Sequence, residues 1–128
     1  MHEKEIEIRW SDVDAYGHVN NAVFLTYLEE ARDEWLERAL SSEGDAWDYV
    51  IARVEIDFRR ELTLADDRVV ARCGLHSLGT SSLRTREELV TRGAATAAEA
   101  EAVLVARDRA TRSSRPLEKR ERAALEGA

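Results

Sequence analysis

The chain has 128 residues, 44% hydrophobic and 35% charged, with a formal net charge of −7 at pH 7. That length fits one domain over residues 1–128 around a single core, and the composition is that of an ordinary acidic globular protein. Acids outnumber bases 26 to 19, which argues against a nucleic-acid partner, because neutralising phosphates needs a net basic surface.

The start, MHEKEIEIRW, lacks the basic and apolar regions of a secretory signal. No apolar run approaches membrane-spanning length, so no membrane partner and a cytoplasmic location are the expectations. Cys73 stands alone among apolar residues, which fits a buried structural thiol better than a nucleophile and leaves no internal disulfide.

Residues 3–10 alternate, with Ile6 and Ile8 against Glu5, Glu7 and Arg9, the period of a half-buried strand. Residues 9–40 read as a polar loop that empties into a long amphipathic helix. Phe24, Tyr27, Leu28, Ala31, Trp35 and Ala39 recur at spacings of three and four, opposite Thr26, Glu30, Asp33 and Glu37. Asn20 or Asn21 is a good N-cap, and the first turn carries no carboxylate. The positive end of the helix is therefore open to an anion or a developing oxyanion.

Residues 41–45 form a loop, and over residues 50–58 Val50, Val54, Ile56 and Phe58 alternate with Arg53, Glu55 and Asp57 in the clearest strand of the chain. Ala65, Asp66 and Asp67 make a turn. Val69, Ala71, Cys73 and Leu75 then share one face of a third strand, which residues 79–82 break. Residues 83–92, with Leu83, Thr85, Glu87 and Leu89 on one face, read as a fourth. In residues 97–110 propensity favours a helix, but Ala98, Ala100, Ala102, Leu104 and Ala106 repeat with period two. The period predicts a fifth strand whose small face would let a helix approach closely. Beyond Pro116, residues 117–125 suggest a short charged helix or a frayed tail.

One strand, a long helix and four closely linked strands demand an α+β fold, a five-stranded antiparallel sheet wrapped around one long central helix. One helix covers one face and leaves strand edges open, so a homodimer, or a dimer of dimers, is expected.

The polar loop gathers Asp12, Asp14, Gly17, His18, Asn20 and Asn21 ahead of the helix. On residue types alone, such aspartates most often satisfy loop amides, and such a histidine is more often structural than catalytic. A calcium loop fails, since Tyr16 would stand at its fifth position and Val23 at its twelfth. One imidazole with two carboxylates is a poor zinc set, so no metal and no other cofactor is expected. Glu29 and Glu30 lie one to two turns into the helix, where one of them could face the site although most helix carboxylates are simply solvated, and His2 and His76 have no partner that the sequence identifies.

The run Asp12-Val13-Asp14-Ala15-Tyr16-Gly17-His18-Val19-Asn20-Asn21, followed by Phe24, Tyr27 and Glu29, resembles the signature of the hotdog-fold thioesterases, in the branch of 4-hydroxybenzoyl-CoA thioesterase and the acyl-CoA thioesterases. Residues 58–62 ahead of Asp66-Asp67, residues 79–82 and residues 111–116 are similar to later landmarks of that family. The resemblance implies hydrolysis of an acyl-CoA or acyl-carrier-protein thioester at a site shared between two subunits. Asp14 would act as nucleophile or general base, the carbonyl oxygen would be held near Asn21, and His18 would belong to the site.

Asn20, Arg59, Arg60 and Ser82 are the substrate-binding candidates that go with it. A polyanionic CoA on an acidic protein needs local positive charge, for which Arg59, Arg60, Arg84 and Arg112 are available. Ala15 stands where the 4-hydroxybenzoyl-CoA enzymes have Pro, and Asn21 where another branch has His. Gly-His-Val-Asn-Asn is closer to the long-chain acyl-CoA and acyl-carrier-protein enzymes, so aromatic and aliphatic acyl groups both stay open. A non-catalytic hotdog module that binds acyl thioesters is the alternative, and Asp14 is the residue it would not need.

Overall fold

Alternation sets the sheet. A computed structural model describes residues 1–128, in which β1 (His2–Glu7), β2 (Tyr49–Phe58), β3 (Arg68–Leu78), β4 (Ser82–Thr91) and β5 (Thr96–Ala106) form one antiparallel sheet in the order β1-β3-β4-β5-β2. The helices are α1 (Asn21–Leu40) and α2 (Lys119–Glu126). Period wins over propensity in β5, where Ala98, Ala100, Ala102, Leu104 and Ala106 are all buried. The strand stops at Ala106, short of the expected residue 110, because residues 108–113 turn back through Asp108, whose carboxylate accepts from the amides of Ala110 and Thr111.

Two other expectations need correction. In β2 the pairing with β5 shifts register between Ile51 and Arg53. Such a bulge moves the preceding residues to the other face, so Tyr49 and Ile51, not Val50, share the inner side with Val54, Ile56 and Phe58. The alanine face of β5 is buried, yet α1 lies nearest β3, with β1 and β4 beside it. Ala71 and Cys73, both fully buried, are the small inner residues of β3.

The inward face of α1 is Phe24, Tyr27, Leu28, Ala31, Trp35, Leu36 and Leu40, with Ala39 half-buried. It also buries Arg32, 3% exposed, which donates from Nε and Nη2 to Glu87 of β4 at 2.7 and 2.9 Å. Thr85 donates its hydroxyl to the same carboxylate at 2.6 Å. Burial opposes the Arg32 charge but Glu87 outweighs it, and the Arg32 pKa is raised. Burial, reinforced by Glu87, also pushes the Cys73 thiol far up, as befits an inert structural cysteine.

The charged tail is an ordered helix because Leu117 and Leu125 are buried and Glu121, 2% exposed, is fully engaged. Its carboxylate accepts from both Arg115 guanidinium ends at 2.7 and 3.0 Å, from the Glu118 amide, and from the Tyr49 hydroxyl. Burial alone would raise the Glu121 carboxyl, but these donors pull it down to about 2. No helix is long and apolar enough to cross a membrane.

Both edges of the sheet, β1 and β2, are open in this chain. Along β2, Ile51 and Phe58 remain 44% exposed and Val54 and Ile56 are half-buried, so the inner face of this edge lacks a full cover.

Candidate active site

The loop before α1 is built by its own polar side chains. Asp14 Oδ1 accepts from the Tyr16 amide at 2.9 Å, and the Asp14 carbonyl accepts from the Gly17 amide at 3.1 Å. The chain reverses at Gly17, whose φ of +87° favours a residue without a Cβ. The Asp14 amide can then donate to the His18 carbonyl at 3.0 Å, and Val13 bridges to Val19. Val19 donates onward to the Leu62 carbonyl at 2.7 Å, which ties the loop to the segment after β2.

His18 lies between two carboxylates, its Nδ1 at 3.8 Å from Asp14 and its Nε2 at 3.9 Å from Glu61. Tyr16 stacks on its ring at 6.1 Å between centroids. Asn20 is the N-cap, accepting from the Ala22 amide at 2.9 Å. The Asn21 amide, next in line, has no acceptor in the chain, and no carboxylate stands in the first turn of α1. A donor with helix-dipole support is thus left free at the helix start.

A cleft of about 230 Å³ opens there, lined by His18, Asn21, Phe24, Phe58, Arg59 and Arg60 among others. Phe24 and Phe58 meet edge to face at 5.3 Å and form its apolar wall. Arg59 leans on Glu99 at 3.0 Å and Arg60 lies 3.7 Å from Asp66. Both arginines are about half exposed, and such surface pairs are weak enough to be exchanged for a ligand anion.

Of the sequence candidates, His18, Asn21, Arg59 and Arg60 therefore share one cleft, Asn20 caps the helix beside it, and Asp14 reaches it through His18. Ser82 does not. It pairs with Val105 while Phe58 pairs with Ala98, so within one chain it sits seven residues further along β5, about 23 Å away. Nor do the other two CoA candidates: Arg84 turns to Glu101 on the outer face of the sheet, and Arg112 belongs to the turn after β5. No three His, Cys, Asp or Glu side chains converge closely enough to hold a metal ion.

The two aspartates differ sharply. Asp12 is 4% exposed and accepts from the Tyr27 hydroxyl at 2.6 Å, from the Arg9 amide at 3.0 Å and from the Arg9 guanidinium at 3.3 Å. Burial would raise its carboxyl, but the bonds from Tyr27 and Arg9 outweigh burial and lower it. Asp14 keeps a side chain 24% exposed. Tyr27 and Glu61 are neighbours of the site that sequence reasoning does not supply. Tyr27 enters the sequence reading in the apolar stripe of the helix and in the run that carries the family resemblance, without a role at the site, and no pattern in sequence places Glu61 opposite His18.

The family model for the thioesterase-like superfamily matches residues 8–125. The chain belongs to that superfamily. Over 70 residues it is 36% identical to the long-chain acyl-CoA thioesterase FadM of Escherichia coli, a match that spans half of this chain and 51% of that relative. Over 98% of its length it superposes on a thioesterase from Thermus thermophilus, crystallised with coenzyme A and zinc, with a TM-score of 0.88, 32% identity and 91% of that chain covered. The PA2801 protein of Pseudomonas aeruginosa superposes with a TM-score of 0.81 at 33% identity, over 97% of each chain. The sheet around a central helix is the hotdog fold shared with these thioesterases.

Proposed function

We propose that this protein hydrolyses an acyl-CoA or acyl-carrier-protein thioester to the free acid and the thiol. The observation that carries the reading is the free Asn21 amide at the start of α1, in a cleft where His18 links to the Asp14 carboxylate. The thioester carbonyl lies against that amide, and charge developing on its oxygen meets a preorganised donor in a site walled by Phe24 and Phe58.

Asp14 either attacks the carbonyl carbon, giving an acyl anhydride that water opens, or takes a proton from water as it attacks. In both courses the tetrahedral intermediate collapses with loss of the thiolate. Arg59 and Arg60 receive phosphates of the CoA, trading Glu99 and Asp66 for a stronger anion.

The working unit in this reading is a homodimer or a dimer of dimers. The half-covered inner face of β2 supports it, because a second copy pairing along β2 removes an open edge. Antiparallel pairing there carries the Tyr49 end of one β2 to the Phe58 end of the other. Ser82, two strands further in at the Tyr49 end, then approaches the cleft of the partner copy and not its own.

The test is a panel of aromatic, short, medium and long acyl thioesters scored by free-thiol release, with Asp14→Asn alongside. The wild type should turn over at least one class, and Asp14→Asn should lose about 10²–10⁴ in kcat while its thermal melt stays close to wild type. An inert panel with tight retention of the thioester would replace hydrolysis by a binding module. Wild-type turnover by a folded Asp14→Asn protein would remove Asp14 from the chemistry.

A further inference from the structure

Tyr27 is 1% exposed in the core, yet its hydroxyl is spent on one partner, the Asp12 carboxylate. Packing alone needs only the ring, and a buried hydroxyl and carboxylate are both costly unless bonded. Asp12 joins three parts of the loop. Its side chain takes the Tyr27 hydroxyl from the second turn of α1 and the Arg9 amide and guanidinium from the short turn after β1. Its main-chain carbonyl takes the Asn20 amide at 3.0 Å, one residue before the free Asn21 donor. Its neighbour Val13 pairs with Val19 and leads directly into Asp14.

We propose that Tyr27 is a positioning residue: by holding the Asp12 carboxylate it sets both the start of α1 and the loop that presents Asp14, without touching the substrate. The inference rests on the thioesterase reading for its catalytic consequence. Its structural half stands on the bonding just described.

An ionised Asp12 accepts from every one of these donors, whereas a protonated one must itself donate and loses at least one. The groups that face it are Arg9, Tyr27 and, behind Tyr27 on α1, Glu30. Without the Tyr27 hydroxyl the carboxylate loses a donor in a buried place and takes up its proton at higher pH. Below that pH the clamp opens.

Tyr27→Phe keeps the ring and removes the hydroxyl. A hydrogen bond to a charged group changes an equilibrium by about 10- to 100-fold, so the acid limb of kcat should move up by about one pH unit or more. KM should change less than about threefold. Arg9 and Asn20 amides should exchange faster with solvent at pH 5 than in wild type. In Tyr27→Phe/Asp12→Asn the new limb should vanish, because an amide does not titrate. Trp35→Phe, which loosens the same helix at a distance from the loop, should leave the limb where wild type has it.

A Tyr27→Phe protein with the wild-type limb and wild-type amide protection overturns the proposal, as does a fall in kcat that is uniform across pH. A wild type inert on every thioester removes the functional reading instead, and amide exchange in Tyr27→Phe still decides whether Tyr27 sets the loop: faster exchange of Arg9 and Asn20 supports it and unchanged exchange overturns it.

Discussion

The buried pair of Arg32 and Glu87 is a sharp place to test how α1 is held on the sheet. Glu87→Gln keeps the side-chain shape but swaps one acceptor oxygen for an NH2 group that faces donors on Arg32 or Thr85. Arg32, 3% exposed, is then left as a buried cation without a counter-charge. Removing one member of a buried pair typically costs about 3–5 kcal/mol, a large part of the roughly 5–15 kcal/mol that stabilises a domain.

Arg32→Met should cost a similar amount at pH 7. The double variant Arg32→Met/Glu87→Leu removes both charges at once. Thr85 still accepts from the Ala102 amide at 3.2 Å, and its hydroxyl proton, released from Glu87, has the Ala102 carbonyl at 3.5 Å as an acceptor, so the double should lie within about 2 kcal/mol of wild type. Urea unfolding followed by far-UV circular dichroism, at one fixed protein concentration, gives the cycle. Singles that cost less than about 1 kcal/mol, or a double equal to their sum, would refute the account of the pair as a mutually compensated charge.

Glu121 should make stability depend on pH at the C-terminal helix. Its carboxyl, lowered to about 2 from an ordinary 4.5, adds stability that is complete above pH 4.5 and is lost as pH falls towards 2. Glu121→Gln should therefore lower stability by roughly 2–4 kcal/mol at pH 7, with the gap narrowing between pH 4.5 and pH 2.5 in thermal melts, and a gap constant with pH would count against it. At the cleft, Arg59→Ala/Arg60→Ala should raise KM for CoA thioesters several-fold at low salt with kcat nearly unchanged, the sign of lost uniform binding. An unchanged KM would put the phosphates elsewhere.

Local patterning was enough to set the five strands, the long helix and the polar run that makes the loop. Period two and period 3.6 belong to short stretches of chain, and they held even in β5, where alanine-rich composition argued for a helix. Asn20 as N-cap, the carboxylate-free first turn and the buried Cys73 were legible for the same reason, since each depends on near neighbours in the chain.

Which distant residues meet was settled only when the elements packed. A bulge between Ile51 and Arg53 changed the face of β2 residues, because one extra residue reverses every side chain before it. Arg32 and Glu87, 55 positions apart, look like two surface charges until the helix is laid on the sheet. By residue type alone Asp12 and Asp14 are equivalent, yet one is sealed under Tyr27 and the other stays open beside His18. Ser82 is separated from the cleft of its own chain by the length of the strands, a distance set by register and not by sequence spacing. Burial and pairing across the fold are sums over many elements, and no stretch of the chain carries them alone.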